Sequence, residues 1–260
     1  MEQTERRDYL LRYLLDEQPQ YRRMEIPSDE GAQKQLLRGL FNVRMPGRIG
    51  DEFLRIQDEY LQAETRAKGI TRMEDLTPIE PGIYLWQGDI TTLACDAIVN
   101  AANAGMTGCY QPCHNCIDNC IHTYAGVQLR NACAEIMEKQ GYEEPTGQAK
   151  ITPAFNLPSR YVIHTVGPIV QGPLMEQHEE LLASCYRSCL TLAEKNGCRS
   201  IAFCCISTGV FGFPQDRAAE IAVETVRTHK RTNHSNIEVI FNVFQDRDYE
   251  LYRDLLGQHQ

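Results

Sequence analysis

Residues 97–103 read AIVNAAN, an apolar run that ends in two asparagines separated by two alanines. The run is typical of a buried strand, and its small residues let a ligand approach the backbone of the loop that follows. Cys109, His114 and Cys116 come next, at a C-x4-H-x-C spacing. Three ligands are typical of a catalytic zinc, which keeps one coordination position for water or substrate, whereas a structural zinc needs four. This stretch predicts a ligand pocket with a metal in its wall.

Other cysteines in the same stretch leave the choice of ligands open. Cys113 and Cys116 form a competing C-x-x-C pair, and Cys120 would complete a four-ligand structural site. His122 also lies within this crowded segment. The preferred ligand set is Cys109, His114 and Cys116.

Outward from this stretch, short apolar runs alternate with amphipathic segments. The predicted strands lie at residues 83–86, 97–99, 161–166, 201–206 and 237–241, and the predicted helices at 129–137, at 182–193 and from Pro214 onward. This alternation predicts an α/β/α sandwich around a parallel or mixed sheet. Ligands gather at the carboxyl ends of the strands in such sheets, so the loops after residues 86, 99 and 206 are the candidate site.

The first part of the chain has a different pattern. Phe53, Ile56, Tyr60 and Leu61 share one helical face, and Gly69 is a plausible helix end. No strand-like run occurs before residue 76. The pattern predicts a helical extension over residues 1–78 and an α/β domain over residues 79–260.

Composition excludes several classes of protein. A net charge of −9 argues against a protein that follows a nucleic-acid backbone. No apolar run is long enough to span a membrane, and the charged N-terminal segment does not resemble a secretory leader. Eleven cysteines cannot all pair within the chain, so we expect reduced thiols and a cytoplasmic location.

Several loop residues have both a functional and a structural interpretation. The loop from Ser207 to Pro214 has glycines that would let its amides hold a phosphate, although it is equally a tight connection. Asp89 either accepts a hydrogen bond from the exocyclic amine of a base or caps the next turn. Asn103 either holds a ribose hydroxyl or water, or stabilises a turn. His164, inside a strand, is interpreted as a core residue.

Three segments together resemble the macrodomain family: GDITTLACDAIVNAAN at 88–103, YVIHTVGP at 161–168 and ISTGVFGFP at 206–214. The resemblance spans residues 81–255. It implies an α/β/α module with a mixed central sheet that binds ADP-ribose. It also implies roles for individual residues: adenine contacts for Asp89 and Ile90, a distal-ribose contact for Asn103, a pyrophosphate loop of Ser207, Thr208, Gly209, Val210 and Phe211, and a stacking partner in Phe244.

One segment departs from the common hydrolytic macrodomains. Their glycine-rich loop and V-D-G-A-I-H-like run are replaced here by CIDNCIH at 116–122, in which Asp118 keeps the acidic position. This resembles the zinc-dependent branch of the family, whose members also carry an N-terminal helical extension. The resemblance implies Zn²⁺ as cofactor, catalytic roles for Asn103 and Asp118, and substrate contacts from Ile117, Asp118 and Asn119.

The same resemblance implies a hydrolase that removes mono-ADP-ribose from protein side chains. Some members of the branch act with a sirtuin-type transferase on a lipoyl carrier protein. Two alternatives remain open at this point: a non-catalytic ADP-ribose reader whose zinc is structural, and an O-acetyl-ADP-ribose deacetylase.

Overall fold

The computed structural model describes residues 1–257 of the chain. Three helices come first: α1 (Gln3–Glu17), α2 (Glu30–Val43) and α3 (Asp51–Lys68). They pack on one another through a cluster of leucine and aromatic side chains between residues 10 and 61, joined from the rest of the chain by Val127. Asp29 caps α2 by accepting a hydrogen bond from the Ala32 amide at 2.8 Å.

A seven-stranded mixed sheet forms the centre of the remaining chain. In chain order the strands are β1 (Thr71–Arg72), β2 (Pro78–Glu80), β3 (Ile83–Gln87), β4 (Leu93–Ala94), β5 (Ala97–Ala102), β6 (Ala149–Pro153), β7 (Tyr161–Val166), β8 (Ser200–Phe203) and β9 (Glu238–Val243). The sheet has the order β2-β3-β9-β8-β5-β7-β6, and β1 pairs separately with β4. The edge pairs β2–β3 and β6–β7 are antiparallel, and the inner pairs are parallel.

Five helices cover the sheet. They are α4 (Ile117–Ala125), α5 (Val127–Gln140), α6 (Glu176–Lys195), α7 (Gln215–Thr232) and α8 (Asp246–Gly257). The helices α6, α7 and α8 pack together on the sheet, α4 and α5 form a separate layer against β5 and β6, and α2 and α3 pack on α4. The predicted α/β/α class, with a mixed sheet and a preceding helical extension, is confirmed.

The strand β5 lies inside the sheet between β8 and β7. Ala97, Ile98, Val99 and Asn100 are all fully buried. A strand covered on both faces has a continuous apolar run, which is why AIVNAAN predicted it. The carboxyl end of β5 therefore lies at the centre of the sheet, where the sequence predicts the ligand site.

Several predicted elements need correction. The strand expected at 201–206 ends at Phe203, and Pro214 is the residue before the first turn of α7 rather than its first helical residue. The sequence interpretation missed β2, β4, β6, α4 and α8. It also excluded strands before residue 76, whereas Thr71 and Arg72 pair with Leu93 and Ala94. A two-residue strand has no hydrophobic period that a pattern can reveal.

The predicted division into residues 1–78 and 79–260 stays a prediction, and its end at residue 260 lies outside the described residues. All eleven cysteines are free thiols. Within residues 1–257, none of the helices combines the length and apolar character that crossing a membrane requires.

Candidate active site

The parallel strands bring the candidate residues to one edge of the sheet. The registers of β3 with β9 and of β5 with β7 and β8 place their carboxyl ends side by side. The loops after β3, β5 and β8 therefore converge, as the sequence predicted.

Asp89 begins the loop after β3 and does what the structural interpretation expected. Its Oδ1 accepts hydrogen bonds from the Thr91 amide at 3.0 Å and the Thr91 hydroxyl at 2.6 Å. Its Oδ2 lies 3.1 Å from Nζ of Lys68, at the end of α3. Burial tends to raise the pKa of Asp89, but the Thr91 hydroxyl and Lys68 outweigh it, so the pKa lies below its ordinary value. The carboxylate is thus held ionised, as an acceptor.

The neighbours of Asp89 differ in what they offer to a ligand. Ile90, a predicted adenine contact, is only 1% exposed and belongs to the main core. Phe244, directly after β9, is 77% exposed, and Val210 is 79% exposed. These two large apolar side chains are free to pack on a bound molecule. Lys68 also lies 3.4 Å from the centre of the Tyr124 ring, in a cation–π contact.

A buried polar network lies at the carboxyl end of β5. Asn100 donates from Nδ2 to Oδ1 of Asp118 at 2.8 Å, and the same nitrogen lies 3.1 Å from Nδ1 of His164. Asn103 is exposed and donates from Nδ2 to the Gly108 carbonyl at 3.1 Å and to Oδ2 of Asp118 at 3.4 Å. At the end of β5, the buried Asn100 thus holds one oxygen of Asp118, and the exposed Asn103 links the other oxygen to the loop at Gly108.

Asp118 lies in the first turn of α4 and is 4% exposed. Burial raises its pKa to about 6, against the opposing effects of the Asn100 hydrogen bond and of Arg130. Ile117 beside it is half-buried and packs on the main core. Asn119 on its other side is fully buried, and its side-chain Nδ2 donates to the Gln111 carbonyl at 2.9 Å. Of these three predicted substrate contacts, the Asn119 side chain serves to hold the preceding loop.

The three preferred metal ligands come together. The ligand atoms of Cys109, His114 and Cys116 all lie within 4.8 Å of one another, and Sγ of Cys109 is 3.8 Å from Nδ1 of His114. Zinc–sulfur and zinc–nitrogen bonds of about 2.3 and 2.0 Å put ligand atoms on one ion at about this separation. Cys116 also caps α4, its Sγ accepting from the Asn119 amide at 3.4 Å. Two thiols and an imidazole at this spacing fit a zinc ion.

The competing ligands point elsewhere. Sγ of Cys113 donates to the Gln35 carbonyl in α2 at 3.3 Å, and Sγ of Cys120 lies 3.5 Å from Arg38. Within the described part of the chain, neither belongs to the group formed by the other three. Cys109, His114 and Cys116 are therefore the three groups that meet at this point in the described part of the chain.

A second group of potential ligands lies deeper, behind Asp118. Its members are His122, Cys133 and His164, and all three are buried. Burial lowers the pKa of His164 to about 3 and that of His122 well below its ordinary value, so both rings are neutral. The expectation that His164 is a core residue agrees with its burial. The sequence interpretation did not assign Asn100 to the Asp118 network, although its burial at the end of a central strand was the available signal.

The loop from Ser207 to Phe211 has the form of an anion cradle. Ser207 has a left-handed backbone with φ of 66°, and its carbonyl accepts from the Phe213 amide at 3.0 Å. The Gly212 amide donates a hydrogen bond to the Gly209 carbonyl at 3.1 Å, and the Val170 amide donates to the Phe211 carbonyl at 2.8 Å. Within residues 1–257 the amides of residues 208–211 have no hydrogen-bond acceptor. Consecutive free amides of this kind bind phosphate oxygens.

Comparison with known proteins agrees with this geometry. The profile of the Macro domain family matches residues 99–222. A protein-ADP-ribose hydrolase of Treponema medium is 60% identical over 261 residues, which cover 99% of this chain and 100% of that protein. A protein-ADP-ribose hydrolase of Staphylococcus aureus strain MSSA476 is 48% identical, with 95% of each chain covered.

Solved structures give the same result. The Oceanobacillus iheyensis macrodomain with ADP superposes with a TM-score of 0.62 and 39% identity, covering 70% of this chain and 93% of that one. The Trypanosoma brucei macrodomain in complex with ADP-ribose gives 0.65 and 32%, covering 81% and 92%. The chain belongs to the macrodomain family. Within that family it is a hydrolase, so the prediction of an enzyme is confirmed.

Proposed function

We propose that this chain is a zinc-dependent hydrolase that removes mono-ADP-ribose from modified protein side chains and releases ADP-ribose. The full-length relatives named protein-ADP-ribose hydrolases support the reaction. One observation supports the zinc dependence: the ligand atoms of Cys109, His114 and Cys116 lie within 4.8 Å of one another. Cys116 comes two residues before the buried Asp118 in the sequence.

ADP-ribose would lie across the converging loops after β3, β8 and β5, from its adenine to its distal ribose. The Asp89 carboxylate accepts from the adenine amine, and Phe244 covers the base or its ribose. The free amides of residues 208–211 hold the pyrophosphate. Asn103, exposed at the end of β5, orients the distal ribose. Four anchored points fix the anomeric carbon, which lowers the entropic part of the barrier.

Asp118 would be the general base. Its carboxylate accepts hydrogen bonds from both Asn100 and Asn103, so its position is fixed from two sides. From there it orients the attacking water and takes its proton as the bond from the anomeric carbon to the acceptor oxygen or nitrogen breaks. Cys109, His114 and Cys116 would hold the zinc, which would supply Lewis-acid chemistry when bound.

Hydrolysis of a mono-ADP-ribosylated protein, followed with purified zinc-loaded enzyme, tests this proposal. We expect Cys116→Ala and chelation each to abolish release of ADP-ribose while the protein stays folded. Full release by a folded, metal-free enzyme would refute the zinc dependence and leave the hydrolase assignment standing. Release of acetate from O-acetyl-ADP-ribose, measured in parallel, shows whether the same pocket accepts an acyl ester.

The partners stay predictions from the family resemblance. A sirtuin-type transferase would place the mark, and a lipoyl carrier protein would bear it. Comparing the rate on such a carrier with the rate on an unrelated modified protein tests this choice, and equal rates would remove it.

A further inference from the structure

The helix α2 of the N-terminal extension packs directly behind the loop that carries the metal ligands. Arg38 donates from one terminal nitrogen to the His114 carbonyl at 2.7 Å and to Oδ1 of Asn119 at 3.1 Å. These contacts link residues more than seventy positions apart in the chain. A side chain added at Gly39 would lie 3.8 Å from Sγ of Cys113, so the helix backbone comes close to the loop. One arginine of the extension thus holds the backbone of a predicted ligand.

A second side chain of α2 fixes the bend before His114. Asn42 is 1% exposed, and its Oδ1 accepts from the Cys113 amide at 2.8 Å while its Nδ2 donates to Oγ1 of Thr123 at 2.9 Å. Cys113 has a left-handed backbone with φ of 54°, which is costly for a residue with a side chain. The Asn42 hydrogen bond stabilises this conformation, which turns the chain so that His114 faces Cys109.

Arg130 of α5 joins the end of α2 to the start of the same loop. Its NH1 group donates to the carbonyls of Asn42 at 2.8 Å and Arg44 at 2.6 Å, and its Nε donates to the Thr107 carbonyl at 2.7 Å. Its guanidinium lies 4.3 Å from the centre of the Tyr110 ring. Thr107 and Tyr110 flank Cys109, so Arg130 links the start of the loop to the end of α2.

The extension does more than cover apolar surface. Its own apolar cluster consists of buried side chains between residues 10 and 61. Among the described residues, Val127 is the only buried member of this cluster that comes from the α/β domain. The contacts between the two are largely polar and buried, like those of Asn42 with Thr123 and of Gln57 with the Val127 amide at 2.9 Å. Buried polar contacts specify one orientation, because any other leaves donors and acceptors unpaired.

We propose that Arg38 and Asn42 are positioning residues for the metal loop, so that the N-terminal extension sets the geometry in which Cys109, His114 and Cys116 meet. This inference rests on the proposed zinc dependence. Partners that orient metal ligands from behind typically change metal affinity by about 10- to 100-fold when removed. The adenine and pyrophosphate contacts lie elsewhere and keep their geometry.

The test measures the zinc affinity of the full chain by competition with a colorimetric chelator, and its ADP-ribose affinity by calorimetry. Arg38→Met and Asn42→Ala should each weaken zinc binding about 10- to 100-fold and change ADP-ribose affinity less than about threefold. Arg38→Lys, which keeps one donor, should give an intermediate zinc affinity. Arg55→Met is the matched control, since within the described residues the Arg55 side chain pairs only with Glu59 on its own helix, and it should match the wild type.

The outcomes are distinct. Folded Arg38→Met and Asn42→Ala variants with wild-type zinc affinity would overturn the positioning role while the zinc site stands. A wild-type chain that binds no zinc would overturn both this inference and the zinc dependence. If Arg38→Met does not fold, Arg38→Lys and Asn42→Ala decide the question by the same comparison.

Discussion

Asn100 and Asp118 are joined by a buried hydrogen bond of 2.8 Å between Nδ2 and Oδ1. The bond connects the end of the central strand β5 to the first turn of α4. Asp118 is therefore held by the most buried part of the sheet, although it lies two residues from a predicted metal ligand. Rigid support of this kind is what a general base requires, because small displacements of a catalytic group reduce the rate strongly.

Replacement of Asp118 tests its role as the base. Asp118→Ala should lower kcat roughly 100-fold to 10,000-fold, the usual range for loss of a general base, with a small effect on ADP-ribose affinity. Asp254→Ala is the control, since Asp254 is exposed and, among residues 1–257, its side chain bonds only to the adjacent Arg253. A kcat of Asp118→Ala within a few-fold of the wild type would contradict the assignment.

The proposed pyrophosphate loop, residues 207–211, packs closely against Gly167. A side chain added there would place its Cβ 2.1 Å from Oγ of Ser207 and 2.8 Å from Cγ2 of Ile206. Gly167→Ala should displace the loop, weaken ADP-ribose binding about tenfold or more, and lower the free energy of unfolding by about 1–3 kcal/mol. Calorimetric binding and urea unfolding measure the two effects. Gly47→Ala is the control, because a Cβ added at Gly47 meets no atom within 4 Å; it should change neither ADP-ribose binding nor stability. Unchanged binding in Gly167→Ala would show that the loop does not hold the ligand.

The ion pair between Lys68 and Asp89 links α3 to the proposed adenine contact. Lys68→Met removes the cation that lies 3.1 Å from Oδ2 of Asp89 and helps to lower its pKa. The carboxylate then loses one of its two anchors, and we expect ADP-ribose affinity to fall several-fold. Affinity for ribose 5-phosphate, which has no base, serves as the control and should not change. A fall of equal size for both ligands would mean that Lys68 acts on the whole cleft.

The buried histidine His164 makes stability depend on pH. Burial lowers its pKa to about 3, whereas an unfolded histidine titrates near 6.5. Below pH 6.5 the unfolded chain binds a proton that the folded chain does not, so stability is lost as the pH falls towards 3, by on the order of 4 kcal/mol. His122 acts in the same direction, and Asp118, with its raised pKa, acts in the opposite one.

His164→Gln isolates this contribution. Glutamine cannot take up the proton, so the variant should lose less free energy of unfolding than the wild type between pH 7 and pH 4.5. Urea unfolding at both pH values gives the comparison. Parallel losses in the two proteins would mean that His164 does not control the acid response.

Local sequence carried most of what could be predicted. The strand β5 and the preferred ligands Cys109, His114 and Cys116 lie within twenty residues, and their spacing favoured this set while leaving Cys113 and Cys120 as alternatives. The helix α4 was missed because its start at Ile117 follows the cysteine-rich loop and its cap is Cys116, which is not a usual capping residue.

Contacts between distant parts of the chain could not be predicted in this way. Arg38, Asn42 and Lys68 read as ordinary polar residues of surface helices, and only the fold brings them to the metal loop and to Asp89. Arg130 likewise lies on an amphipathic helix, with nothing in its neighbours to indicate that it binds the end of α2. Hydrophobic periodicity reports which face is buried, but it does not report which polar partners that face will meet.

The most direct test of the account is a zinc titration into the metal-free chain, with bound metal and release of ADP-ribose from a modified protein measured on the same samples. We predict an inactive, folded apoprotein whose activity rises linearly with zinc and reaches its plateau at one equivalent per chain. Full activity before any zinc is added would contradict the account.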